Sequence, residues 1–173
     1  MVKIVDNFLN EKDFKRIKEL IFSDKFLWSW IDGVSYHKNN PGYKNIPEDK
    51  KHLTYFSHIL YQNPTLISPF WEHFAPIFNN MKADIVKSLI RIKINCYPQS
   101  NVLEEHGMHQ DRPFDHKGML IYMNTCDGYT RFESGEKIDS VANRVVFFNP
   151  FVKHTSTNTT NESRRVTINF NYF

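Results

Sequence analysis

Cysteine is scarce in this chain. Cys96 and Cys126 are the only two, too few for a disulfide framework or a thiolate zinc site, and both are expected to be reduced thiols in or near the core. Long apolar runs are missing as well. Nothing approaches a membrane span, and Met1 to Asp13, broken by the charges of Lys3 and Asp6, does not read as a secretory leader. The cytoplasm is the expected compartment. A basic cluster is also lacking: the formal net charge is only +3, and the 22 Lys and Arg residues are spread along the chain, which argues against a nucleic-acid footprint. The sequence shows no internal repeat, low-complexity tract or linker, so its 173 residues read as one domain around one core. Within it, residues 1–86 are expected to supply helical support and outer strands, and residues 87–173 a core barrel that carries the site.

Aromatic residues are plentiful at 15%, with 15 Phe and 8 Tyr, which favours strands and a filled interior. After a short extended start at Val2 to Val5, Asn10 is placed to cap a helix. Asp13 stands at the capping-box position, and Phe14, Ile17, Leu20 and Ile21 make one apolar stripe. A second helix is expected from Ser68 to Met81, with Phe70, Phe74, Ile77 and Phe78 at helical spacing and a kink at Pro76. Phe26 to Tyr36 and Leu53 to Leu60 read as strands, and Lys38 to Lys51, with Pro41, Gly42 and Pro47, as a mobile loop.

From Lys87 onward strands alternate with turns, the pattern of antiparallel sheets with helices packed on one side. Ile90, Ile92, Ile94 and Cys96 give one strand an apolar face, and Arg91, Lys93, Asn95 and Tyr97 give it a polar one. The last strand repeats the division, with Val166, Ile168 and Phe170 opposed to Arg165, Thr167, Asn169 and Asn171. Such strands suit a barrel packed on helices outside and wet inside; a sheet with one solvated face gives the same pattern.

His109 and Asp111 lie two residues apart, so on an extended backbone both side chains project to one face. His154, after the apolar strand Arg144 to Phe148, offers a third ligand. Two imidazoles and one carboxylate on one side of an octahedral ion leave three positions open, as in Fe(II) oxygenases, whereas a structural zinc site would be closed by a fourth protein ligand. His106 and His116 compete by proximity but lack the partnered carboxylate, and read as groups that support the site or face solvent. Arg164 and Arg165 open the last strand. A guanidinium there would grip a carboxylate through two parallel hydrogen bonds. Alternation selects Arg165, which shares the polar face, while Arg164 turns outward.

These residues together resemble the Fe(II)/2-oxoglutarate-dependent dioxygenase superfamily, and within it the prolyl 4-hydroxylase-like branch with its small bacterial and phage members. The resemblance covers Lys87 to Phe173. Cys96-Tyr97-Pro98 is similar to the strand end before the metal motif, and His109-Gln110-Asp111 to the motif itself. Leu120-Ile121-Tyr122-Met123-Asn124 is similar to the strand whose Tyr contacts the distal carboxylate of 2-oxoglutarate. Gly128-Tyr129-Thr130, Asn143 to Phe148, His154, Arg165 and Asn169 to Phe173 complete the order. The chain departs from the branch at Tyr129, where many members have a second Gly, and at Asn171, where animal members carry an aromatic residue.

The resemblance implies a double-stranded β-helix, the jelly-roll or cupin-like barrel, with a helical layer on one side. It implies an enzyme that uses Fe(II), 2-oxoglutarate and O2, with ascorbate as an optional reductant, to hydroxylate an unactivated C–H bond. His109, Asp111 and His154 would hold the metal, Arg165 and Tyr122 would bind the co-substrate, and Tyr97 would line the same pocket. The expected substrate is proline in a peptide or protein, or the free amino acid. Nucleic-acid demethylation by the same iron chemistry, and a non-catalytic cupin-like metal-binding barrel, are the alternatives. The loops Arg112 to Lys117 and Lys38 to Lys51, with Arg91 and Lys93, are the expected substrate contacts by position.

Overall fold

Asn10 caps the first helix as its neighbours predict. Its Oδ1 accepts the Asp13 N–H at 2.9 Å, and its Nδ2 donates to Asp13 Oδ2 at 2.7 Å, so two polar ends are satisfied reciprocally. The computed structural model describes residues 2–34, 44, 48, 53–81 and 86–173. In chain order the elements are β1 (Lys3–Val5), α1 (Glu11–Phe22), β2 (Ser29–Asp32), β3 (Thr54–Gln62), β4 (Thr65–Leu66), a 3-10 turn (Trp71–Phe74), α2 (Ala75–Asn80), β5 (Leu89–Pro98), β6 (Lys117–Tyr122), β7 (Tyr129–Phe132), β8 (Lys137–Asp139), β9 (Val145–Phe148), β10 (His154–Ser156) and β11 (Arg164–Tyr172).

The expected single helix from Ser68 to Met81 is two shorter pieces. Pro76 has no N–H to give the Glu72 carbonyl, so Ala75 takes that acceptor in a tighter turn. Pro76 then falls in the first turn of α2, where a missing donor costs nothing. The strand expected over Phe26 to Tyr36 is confined to Ser29–Asp32, with Ser35 and Tyr36 outside the described residues. The segment Lys38 to Lys51 lies outside them too, apart from Lys44 and Glu48.

Two sheets form. The larger runs β1-β9-β6-β11-β5-β3-β2, with β4 beside β3, and the smaller runs β10-β7-β8. Every neighbouring pair of these strands is antiparallel. On the outer face of the larger sheet, Ile92, Ile94, Val166, Ile168 and Phe170 join Ile17, Ile21, Phe74 and Ile77 of the helices in one buried cluster. Full burial of each such side chain contributes about 1.5 to 3 kcal/mol, so this face fixes the register of β5 and β11. A one-residue slip would turn Arg91, Lys93 and Arg165 into the helices.

The opposite face of the same strands looks toward the smaller sheet. Arg165 stands opposite Tyr97, Thr167 opposite Asn95 and Tyr122, and Asn169 opposite Lys93 and Leu120. Leu120, Tyr122, Phe132, Ile138, Val146 and Phe148 form a second, smaller core between the sheets. Beside it remains a cavity of about 180 Å³, lined on the large-sheet side by Arg91, Lys93, Asn95, Tyr97, Thr167 and Asn169. The barrel reading, apolar outside under helices and wet within, describes the molecule. Both cysteines are buried thiols, and among the described residues no helix is long and apolar enough to cross a membrane.

Candidate active site

His109 and His154 face one another across a single β-bridge, each backbone N–H donating to the other's carbonyl at 2.9 Å. Directly opposed residues put their side chains on the same face, and Asp111, two residues further on, shares it. Ligand atoms of His109, Asp111 and His154 accordingly lie within 4.8 Å of one another. The Nδ1 of His109 faces the Gly107 carbonyl at 3.1 Å, and the Nδ1 of His154 faces the Val152 carbonyl at 3.0 Å. A carbonyl only accepts, so both protons are assigned to Nδ1 and both lone pairs to Nε2, the tautomer that a divalent ion needs. Burial, and then the neighbouring His154, push His109 down to about 4, which keeps it neutral in ordinary buffers.

Asp111 is oriented from behind. Its Oδ2 accepts the side-chain amides of Asn169 and Asn171, each at 3.0 Å, which leaves Oδ1 toward His109, 3.9 Å from its Nε2. Burial alone would raise this carboxyl, but Arg91 at 3.4 Å, His154 and His109 outweigh it and hold Asp111 well below the usual carboxylate range. Asn171 also contacts Asn169 Oδ1 at 2.8 Å and His116 Nε2 at 3.2 Å. His116 is therefore tied to the support of Asp111 and lies outside the three-ligand group. His106 packs its ring 4.8 Å from Tyr97. The donor set of two imidazoles and a carboxylate fits a hard-to-borderline octahedral ion such as Fe(II).

Arg165 is fully buried. Its guanidinium lies 5.4 Å from the Tyr122 ring and 5.7 Å from the Tyr97 ring. It donates to Ser156 Oγ at 2.6 Å, the Thr157 carbonyl at 3.2 Å and Thr130 Oγ1 at 3.2 Å, and its Nε has no partner. No carboxylate among the described residues pairs with it. Gly128 makes room for this side chain: a Cβ there would sit 2.5 Å from Arg165 Cδ and 2.5 Å from the Asn158 carbonyl oxygen. Arg164 points to the other side of the sheet, over the Phe22 ring of α1 at 5.3 Å. Tyr122 and Tyr97 are both buried, and burial raises both phenols.

Sequence reasoning missed the role of Glu105. Arg131 grips it with two hydrogen bonds of 2.7 and 2.6 Å, and Tyr129 donates to it at 2.8 Å. This ties the segment leading to His109 onto β7, a link that no local pattern announces. The Arg131 hydrogen bonds, against a smaller cost of burial, hold Glu105 near about 2 instead of 4.5. Its stabilising effect is complete above pH 4.5 and is lost as pH falls toward 2. The pair is part exposed, so solvent screening limits the effect to about 1 kcal/mol. In urea unfolding followed from neutral pH to about pH 2.5, wild type is expected to lose this increment relative to Glu105→Gln. Parallel pH curves would show that the pair contributes nothing.

The two facing sheets with helices on the outer side define the class of fold: the double-stranded β-helix of the 2-oxoglutarate/Fe(II) oxygenases. Among solved structures the chain is similar to an oxidoreductase of the 2OG-Fe(II) oxygenase family from Burkholderia pseudomallei, with TM-score 0.67 and 11% identity over 99% of this chain and 84% of that one. It is similar also to a prolyl hydroxylase from Trichoplax adhaerens, solved with a peptide fragment of the hypoxia inducible factor oxygen degradation domain. There the TM-score is 0.66, with 15% identity over 99% of this chain and 83% of that one. The viral collagen prolyl hydroxylase of Paramecium Bursaria Chlorella virus-1, solved with 2OG, matches at TM-score 0.57 and 12% identity over 98% and 93%. No family model matches the sequence, and no curated protein does. Identities this low establish the fold, and the reaction has to be argued from the site.

Proposed function

We propose that the protein is an Fe(II)- and 2-oxoglutarate-dependent dioxygenase that hydroxylates proline, in a peptide or as the free amino acid. The observation that carries this reading is Arg165: a buried guanidinium with an unsatisfied Nε and no carboxylate partner among the described residues. It lies behind Tyr97, Thr130 and Ser156, which line the same cavity as His109, Asp111 and His154. A buried cation is costly unless a ligand supplies its counter-charge, and a non-catalytic metal barrel has no use for one. Fe(II), once bound with 2-oxoglutarate and dioxygen, supplies an oxidant able to attack a C–H bond, with release of succinate and carbon dioxide.

The chain's own residues then have separate tasks. His109, Asp111 Oδ1 and His154 would hold the ion from one side, and Asn169 and Asn171 keep the carboxylate turned. Arg165, with Tyr122 beside it, would grip the distal carboxylate of the co-substrate. Leu120, Phe148 and Val34 supply the apolar part of the cavity wall. The proline target draws support from the prolyl hydroxylases among the neighbours, one of them seen with a peptide. Succinate release, measured with L-proline, proline-containing peptides and methylated single-stranded oligonucleotides at low and high salt, tests it. Stimulation by the proline compounds with weak salt dependence is expected. Stimulation by oligonucleotides alone, fading as salt rises, would overturn the proline target.

A further inference from the structure

Arg165 lies behind one end of the cavity, beyond Tyr97, Thr130 and Ser156, and a second set of basic residues lines the cavity itself. Arg91 and Lys93 stand on the inner face of β5, opposite Asn171 and Asn169. At about 3.3 Å per residue they are displaced along the sheet by about 20 and 13 Å from the level of Arg165. Arg112, directly after Asp111, lines the same end. We propose that Arg91, Lys93 and Arg112 form a carboxylate-binding subsite, and that the substrate of this enzyme presents a carboxylate beside the carbon it has hydroxylated. The assignment of the cavity to an oxygenase reaction is the reading it rests on.

The hydrogen-bond accounting supports it. The Nε atoms of Arg91 and Arg112 are buried without a partner. Burial, and then Arg91, push Lys93 down to about 7; its Nζ donates to the Tyr55 hydroxyl at 2.9 Å, and it has no carboxylate partner among the described residues. These three cations share one acid in the cavity lining, Asp111. Its Oδ2 is already taken by two amides, and its Oδ1 is 3.4 Å from Arg91. A metal held by Asp111 would draw on that same charge. Buried donors without acceptors are costly, and planar guanidinium edges suit a carboxylate. The three basic side chains line a cavity of about 180 Å³ whose wall also includes Val34 and Tyr55. That size suits a single small residue and not the backbone of a nucleic acid.

The carboxylate has two possible sources, the α-carboxylate of a free or C-terminal residue and the side chain of a neighbouring acidic residue. Calorimetric titration of the full-length protein with L-proline, L-prolinamide, a peptide ending in proline with its C-terminal amide, and a peptide pair with Asp or Asn beside an internal proline separates them. Tighter binding of L-proline than of prolinamide assigns the first source, and tighter binding of the Asp peptide than of the Asn peptide the second. In either case Arg112→Gln should weaken the carboxylate compound about tenfold or more and leave its neutral counterpart unchanged. Lys93→Met repeats the test if Arg112→Gln fails to melt cooperatively. Equal binding of each charged and neutral pair, or binding of none, overturns the subsite. Turnover of 2-oxoglutarate to succinate without added substrate, measured on the wild type, reports separately on the oxygenase reading.

Discussion

Replacing either imidazole of the three-ligand group, in His109→Ala or His154→Ala, is expected to lower Fe(II) affinity by more than about 100-fold, because a three-ligand site has no spare donor. His116→Ala should cost about tenfold at most. Its ring reaches the metal group only through Asn171 and then Asp111. His106→Ala, which removes a ring packed 4.8 Å from Tyr97, should remain close to wild type. Anaerobic titration of the four variants with Fe(II) decides, and melting curves without metal control for folding. Loss of binding in His106→Ala alone would mean that the ligand group has been drawn around the wrong histidine.

Arg165→Ala should raise the 2-oxoglutarate concentration needed for half-maximal turnover by roughly 30- to 1000-fold. This corresponds to about 2 to 4 kcal/mol for a charge-assisted pair in a partly dry pocket. Arg164→Ala should change it little, since that side chain lies across the sheet on the Phe22 ring. Arg165→Lys separates charge from shape: it keeps the cation and loses the fork, and should fall between the two. Equal effects of Arg164→Ala and Arg165→Ala would contradict the register of β11 against Tyr97 and Tyr122.

The inner and outer faces of the barrel were legible in the sequence because a strand repeats every two residues. From Ile90 to Tyr97 and from Arg165 to Asn171 the polar and apolar sets separate cleanly, and the same alternation told Arg165 from Arg164. Asn10 was legible for a local reason, since a cap is satisfied within three residues. What stayed hidden depended on register between distant segments. Asn169 and Asn171 showed as polar-face residues, but their grip on Asp111 spans about sixty positions and needed the two strands to be aligned. The Glu105–Arg131 pair joins a loop to a strand and has no periodicity to reveal it. Arg112 stood in a loop expected to contact substrate, but its approach to Arg91 and Lys93 follows from where Asp111 is held. At Pro76 the residue pattern marks a break without its kind, since a kink and a restart look alike in sequence, and the structure has the restart.

The reciprocal backbone bridge of His109 and His154, with both rings turned to carbonyls and Asp111 held by two amides, sets which face the three donors share before any ion arrives. Two imidazoles and one carboxylate do not by themselves reserve a site for iron. Competition among divalent ions should then follow their general order of affinity for nitrogen and oxygen donors, in which nickel and copper outrank iron. Iron occupancy would be decided by supply: protein made in zinc- or nickel-rich medium should emerge loaded with the wrong ion, folded and inactive until it is stripped and refilled.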